Sequence, residues 1–109
     1  MEITERRTAD IVTLFLSGRL DITTAKTFEE RFIAQIESGD RRFIIDLAEL
    51  KYISSSGLRV FLLAAKRLGS NGKIVLCSLK DSVREVFNIA GFSSIFPIYG
   101  SHDEAIKTL

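Results

Sequence analysis

Three consecutive hydroxyls, Ser54, Ser55 and Ser56, followed by Gly57, form the longest unbroken run of hydroxyl side chains in the chain. They lie between an apolar, β-branched run (Phe43, Ile44, Ile45, Leu47) and a helical pattern, so the local reading is strand, polar turn, helix. A helix start carries unpaired backbone N–H groups and the positive end of the helix dipole, and both favour a negative charge. The chemistry that fits is acceptance of a phosphoryl group by a serine hydroxyl. Taken alone, such a run is more often a helix cap, because serine leads the N-cap preferences. Gly57 fits a turn that needs close backbone approach or a permissive backbone angle.

The other reactive groups are dispersed. His102, the one histidine, lies in a late polar stretch and is expected as a solvated loop residue rather than a general base. Cys77, the one cysteine, sits in Lys73-Ile-Val-Leu-Cys-Ser-Leu79 and reads as a buried strand thiol. It excludes an intrachain disulfide and a cysteine-based metal site. Glu29, Glu30 and Glu37 fall on the polar side of a helical pattern, where solvation is their simplest use. There is no Gly-rich phosphate loop, zinc spacing or nucleophile elbow. These absences point away from an enzyme and toward a binding protein.

The elements that position the serines follow from periodicity. Ile3 to Arg7 and Ile11 to Ser17 read as two strands joined by a polar turn at Thr8, Ala9 and Asp10, with the second strand ending at Gly18. Asp21 with Thr23 or Thr24 caps a helix whose Ala25, Phe28, Phe32 and Ile36 share one face until Gly39. Residues 42 to 47 read as a central strand, and Asp46 falls at its end. After Ser56, Leu58, Phe61, Leu62, Ala65 and Leu68 form one helical stripe, while Val60, Leu63 and Ala64 form another roughly opposite. That helix is either buried between layers or offers an apolar strip to a partner. Lys73 to Leu79 is a further strand, and Ser82 to Glu85 reads as a capping box for a helix burying Val83, Val86, Phe87 and Ala90. Ile95 to Tyr99 reads as a short edge strand, and Asp103 to Leu109 as a terminal helix.

Alternation of strands and helices after a hairpin predicts an α/β fold: a mixed, largely parallel sheet with right-handed β-α units and about four helices. At 109 residues and 46% hydrophobic content, residues 1–109 make one folded domain. A net charge of +1 gives no broad attraction to nucleic acid or an anionic membrane, so no direct nucleic-acid partner is expected. No stretch reaches the roughly 20 apolar residues that span a bilayer, and the N-terminus lacks a signal-peptide pattern. The expectation is a cytoplasmic protein without membrane insertion.

The stretch Asp46-Leu-x-x-Leu-x-Tyr-Ile-Ser-Ser-Ser-Gly-Leu-Arg59 resembles the signature of STAS domains, in particular the bacterial anti-sigma-factor antagonists. Ser17-Gly18-Arg19-Leu20-Asp21 is similar to that family's Gly-x-Leu/Ile-Asp turn, and Phe87-Asn88-Ile89-Ala90-Gly91-Phe92 to its late Phe-x-x-x-Gly-Leu segment. The resemblance covers nearly the whole chain. It implies a STAS fold and a partner-switching role in transcription regulation. The unphosphorylated form would bind an anti-sigma factor that is also a serine kinase, releasing a sigma factor. Phosphorylation at the serine two places before the motif glycine, here Ser55, would end binding, and a serine phosphatase would restore it. ATP belongs to the kinase, so the chain itself needs no cofactor. Many members carry Asp before the acceptor where this chain has Ser54, a feature that favours the alternative of an unphosphorylated docking subunit in a larger signalling or transport assembly. Asp46 matches the family's polar position and is expected to hold the serine loop. The expected partner surface is Asp21, Ser54, Ser55, Ser56, Gly57, Leu58, Arg59 and Leu62.

Overall fold

Successive side chains along a strand turn to opposite faces of one sheet, and the central strands are buried on both. In the computed structural model, which describes residues 1–109, β1 (Glu2–Thr8) and β2 (Ile11–Leu20) form an antiparallel hairpin. β3 (Arg42–Ile53), β4 (Lys73–Cys77) and β5 (Ile98–Tyr99) follow in parallel, and the strand order is β1-β2-β3-β4-β5. Val12, Leu14 and Leu16 of β2 turn into the main core with Phe43, Ile45 and Leu47 of β3. Their neighbours Ile11 and Ile44 join a smaller core on the opposite face. The sheet is mixed and largely parallel, as the periodicity predicts.

Three helices build the main core and one covers the other face. α1 (Ala25–Glu37) buries Ala25, Phe28, Phe32 and Ile36, α2 (Ser55–Leu68) buries Leu58, Phe61 and Leu68, and α3 (Asp81–Ile89) buries Val83 and Phe87. α4 (His102–Lys107) seats Ala105 against Ile11, Ile44, Val75 and Cys77. Phe61 is the junction of the aromatic core, with ring centroids 5.3 Å from Phe28, 5.4 Å from Phe87 and 6.0 Å from Phe96. The second stripe of α2 is also consumed, because Val60 and Ala64 are buried while Leu62, Leu63 and Ala65 are half-buried. α2 is therefore held between layers, packed on the sheet and against α1.

The boundaries differ from the sequence pattern where strands outrun their apolar runs. β2 continues past Gly18 to Leu20, and β3 continues past Leu47 to Ile53. Both extensions pass through register shifts, after Phe15 and after Gly18, where extra β3 residues oppose fewer of β2. Asp46 is thus within β3 rather than at its end, and its Oδ1 accepts from the Ala48 N–H at 3.0 Å. It supports this bulge and does not hold the serine loop. α3 starts at Asp81 with Lys80 as its cap residue, so Ser82 and Glu85 lie inside the helix and form no capping box. An acidic first-turn residue, Asp81, complements the helix dipole instead. Ala90 is exposed because the helix ends at Ile89, and Gly91 turns away in the left-handed region at φ 79°. The last strand shrinks to Ile98–Tyr99, beyond Pro97.

His102 is not a solvated loop residue. It begins α4, half-buried, with Nε2 2.9 Å from Thr13 Oγ1 and its ring stacked on Phe15 at 5.9 Å. Thr13 is fully buried, so its hydroxyl needs a partner, and the imidazole supplies it. Cys77 is the buried strand thiol expected, and burial first, then the nearby Asp46 charge, pushes its pKa up to about 12.

Candidate functional site

Parallel pairing of β2 with β3 runs to their last residues, Leu20 opposite Ile53. The contact continues one residue further, where the Ser54 N–H donates to the Leu20 carbonyl at 2.9 Å. Two chain segments more than thirty residues apart in sequence thereby deliver the Asp21 turn and the serine turn side by side. Ligand sites gather at such carboxyl ends of neighbouring parallel strands.

The serine turn divides its tasks by residue. Ser54 is the N-cap of α2, since its Oγ accepts from the Gly57 N–H at 3.3 Å and its carbonyl from the Leu58 N–H at 3.0 Å. Ser55 is the first helical residue and is exposed, while Ser56 is half-buried within the first turn rather than acting as a cap. Gly57 is buried, and a Cβ there would sit 2.7 Å from Leu20 Cγ and 3.0 Å from Ile53 Cγ1. Close approach of the helix to both strand ends is why glycine stands at this place.

The Asp21 turn is fastened internally. Its Oδ1 accepts from the Thr23 Oγ1 at 2.6 Å and the Thr23 N–H at 3.0 Å. Those hydrogen bonds, the hydroxyl's foremost, hold the carboxyl below the usual carboxylate range. The Asp21 carbonyl accepts from the Thr24 and Ala25 N–H groups, so backbone rather than a side chain caps α1. Arg19 stands beside it, Nε 3.8 Å from Asp21 Oδ2, with its guanidinium 4.2 Å over the Tyr52 ring.

Of the residues expected at the partner surface, Asp21, Ser54, Ser55, Ser56 and Arg59 come to one end of the sheet. Gly57 and Leu58 do not present a docking face. Leu58 is 7% exposed, one turn before Phe61 on the stripe that enters the core, so it braces the serine turn from beneath. Leu62 is half-buried against the same core. The structure adds a groove of about 470 Å³ between α1 and α2, lined by Ile22, Lys26, Ser56, Arg59 and Leu63 among others. Ile22 projects into solvent with 78% of its surface exposed. Neither Lys26 nor Arg59 joins any of the six ion pairs of the chain. Ile22 had one sequence signal, an isoleucine inside the polar turn Asp21-Ile22-Thr23-Thr24 where no helical or strand period calls for it.

Comparison with known proteins agrees with this fold. The model of the STAS domain family matches residues 2–105. BtrV of Bordetella bronchiseptica, provisionally named an anti-sigma factor antagonist, is 44% identical over 106 residues, covering 96% of this chain and 91% of its own. The crystal structure of an anti-sigma factor antagonist from Mycobacterium paratuberculosis superposes with a TM-score of 0.92 at 20% identity, over 98% of this chain and 92% of that one. SpoIIAA, a Bacillus cell fate determinant solved in its phosphorylated form, shares the fold with a TM-score of 0.77 at 22% identity, over 98% of each chain. No helix of the chain is long and apolar enough to cross a membrane. With a family model spanning almost every residue and a relative 44% identical over nearly its whole length, the chain belongs to the STAS domain family, among relatives named as anti-sigma factor antagonists.

Proposed function

We propose that this chain is a phosphorylation-switched binding protein rather than an enzyme. In its unphosphorylated form it binds an anti-sigma factor that is also a serine kinase, and so frees a sigma factor. The kinase then moves the γ-phosphoryl group of ATP to Ser55 Oγ, with loss of the hydroxyl proton and release of ADP, and the complex dissolves. A separate serine phosphatase hydrolyses the phosphoserine and resets the switch.

The observation that carries this reading is the division of labour in the serine turn. Ser54 makes the cap, which leaves Ser55 exposed at the first position of a 14-residue helix without a capping task. The amides of that first turn and the helix dipole favour the product anion. Ser54 performs the capping that an aspartate would perform in its place, since both residue types are good N-caps. The test is incubation with the cognate kinase and ATP followed by peptide mapping. Phosphate is expected mainly on Ser55, with Ser54 and Ser56 as minor sites, and a principal site elsewhere would sink the assignment.

The partner surface in this reading is Ser55, the exposed Arg59 and Ile22, and the Asp21 turn. Arg59→Glu is expected to weaken kinase binding by about tenfold or more, because it replaces an unpaired cation with an anion at the groove rim. Its thermal unfolding midpoint should stay within about 2 °C of the wild type, since Arg59 is exposed and surface changes cost little. Unaltered affinity in a binding titration would remove Arg59 from the interface.

A further inference from the structure

Arg59 follows Ser55 by four residues on α2, and both are exposed, so they share one face of the helix a single turn apart. Long side chains on a helix lean toward its N-terminus, which carries the Arg59 guanidinium back over the turn that holds the serines. The groove between α1 and α2 agrees with that direction, because Ser56 and Arg59 line it together.

What Arg59 lacks is a partner. It joins none of the six ion pairs, although Glu29 of α1 lines the same groove. The other guanidinium at this end of the sheet is committed: Arg19 stands 3.8 Å from Asp21 Oδ2 and 4.2 Å over the Tyr52 ring. Lys26, also unpaired, rises from the first turn of α1 rather than from the serine helix. Arg59 is thus the free cation in helical register with any group carried on Ser55.

Resting on the reading of Ser55 as the phosphoacceptor, we propose that Arg59 is an internal clamp for the phosphoserine. Its guanidinium, free for the partner in the unphosphorylated form, turns onto the phosphate after transfer, and the planar fork suits two parallel N–H···O bonds to phosphate oxygens. Phosphorylation then changes the partner surface twice: an anion appears at position 55 and the free cation at position 59 is withdrawn. No backbone movement is needed, because both residues ride on the same helix.

A helix start holds an anion through its amides and dipole whatever stands at position 59, so the two contributions separate by experiment. Phosphoserine is placed at position 55 during translation with a suppressor tRNA, which makes the measurement independent of any kinase, and its ³¹P resonance is followed against pH. A guanidinium contact favours the dianion. The titration midpoint is therefore expected about 0.3 pH lower in the otherwise wild-type chain than with Arg59→Gln, a twofold change in the second ionisation. Arg59→Lys, a point charge without the fork, should recover part of the difference. The ¹⁵N signal of the Arg59 Nε–H group should move through the same midpoint. Arg59 is exposed, so these variants should fold as the wild type does. An unchanged midpoint in Arg59→Gln would leave the phosphate to the helix start alone and overturn the clamp. An equally raised midpoint in Lys26→Gln would also overturn it, by assigning the effect to the general field of the groove. Transfer by the cognate kinase to a residue other than Ser55 is a separate result: it removes the proposed switch, whereas the midpoints judge the contact itself.

Discussion

Ser55→Asp is expected to bind the partner kinase about 100-fold more weakly than the wild type, while Ser55→Ala binds normally and cannot be switched. A phosphate adds about −1.5 to −2 charges and can rest at the α2 N-terminus in the free protein, where amides and dipole accommodate it. Pressed into an interface fitted to a neutral hydroxyl, the same group is desolvated and faces the Asp21 carboxylate of the neighbouring turn. That carboxyl is held ionised by its Thr23 hydrogen bonds, so protonation offers no relief near neutral pH. A loss of about 3 kcal/mol corresponds to the 100-fold figure and requires no refolding. Amide spectra of free and phosphorylated protein check the mechanism: shifts confined to the Ser55 and Asp21 turns fit, and shifts spread across the sheet contradict it.

The largest stability effect is expected at Phe61. Phe61→Ala should destabilise the fold by about 3–5 kcal/mol, the range for truncating a buried aromatic whose neighbours collapse incompletely. Phe61 is fully buried and its ring alone contacts all three of Phe28 of α1, Phe87 of α3 and Phe96, so its removal loosens three segments at once. With total stabilities of about 5–15 kcal/mol, a large share of the margin would go. Urea unfolding of wild type and variant measures the difference, and a change below about 1 kcal/mol would show that the core repacks around the cavity. Phe61 lies on the helix that begins at Ser55, so the variant should also bind the partner less well wherever the helix start frays.

Much of this arrangement was legible in the sequence because it is periodic. Phe28, Phe32 and Ile36 recur at helical spacing, and Val12, Leu14 and Leu16 alternate, so the elements and the α/β class follow. The far half of β3 was not legible. The apolar run ends at Leu47, whereas Ala48, Glu49, Lys51 and Tyr52 continue a strand whose outer face is partly open and whose alternation is broken by bulges. The misplacement of Asp46 followed from that. His102 was misread for another reason: its partner Thr13 is 89 residues away, and no local pattern announces such a contact. At the site, the serine motif and Asp21 were recognisable, but the groove holding Ile22, Lys26 and Arg59 depends on how α1 lies against α2, which is a tertiary matter.

Strand order in the sheet is the same as strand order in the chain. Every strand therefore finds its neighbour already synthesised, either across a tight hairpin or after a single helical crossover. Chain-closure entropy rises with the length of loop to be shut, and here no pairing step spans more than one such crossover. During translation the domain can grow outward from the β1–β2 hairpin, annexing one unit at a time as each leaves the ribosome. Ser55, Asp21 and Arg59 all belong to the portion made first, but Phe87 and Phe96, which close around Phe61, come late. The nascent chain would thus expose Ser55, the proposed phosphoacceptor, before its helix is locked, and the final forty residues set when the proposed switch becomes rigid enough to be read.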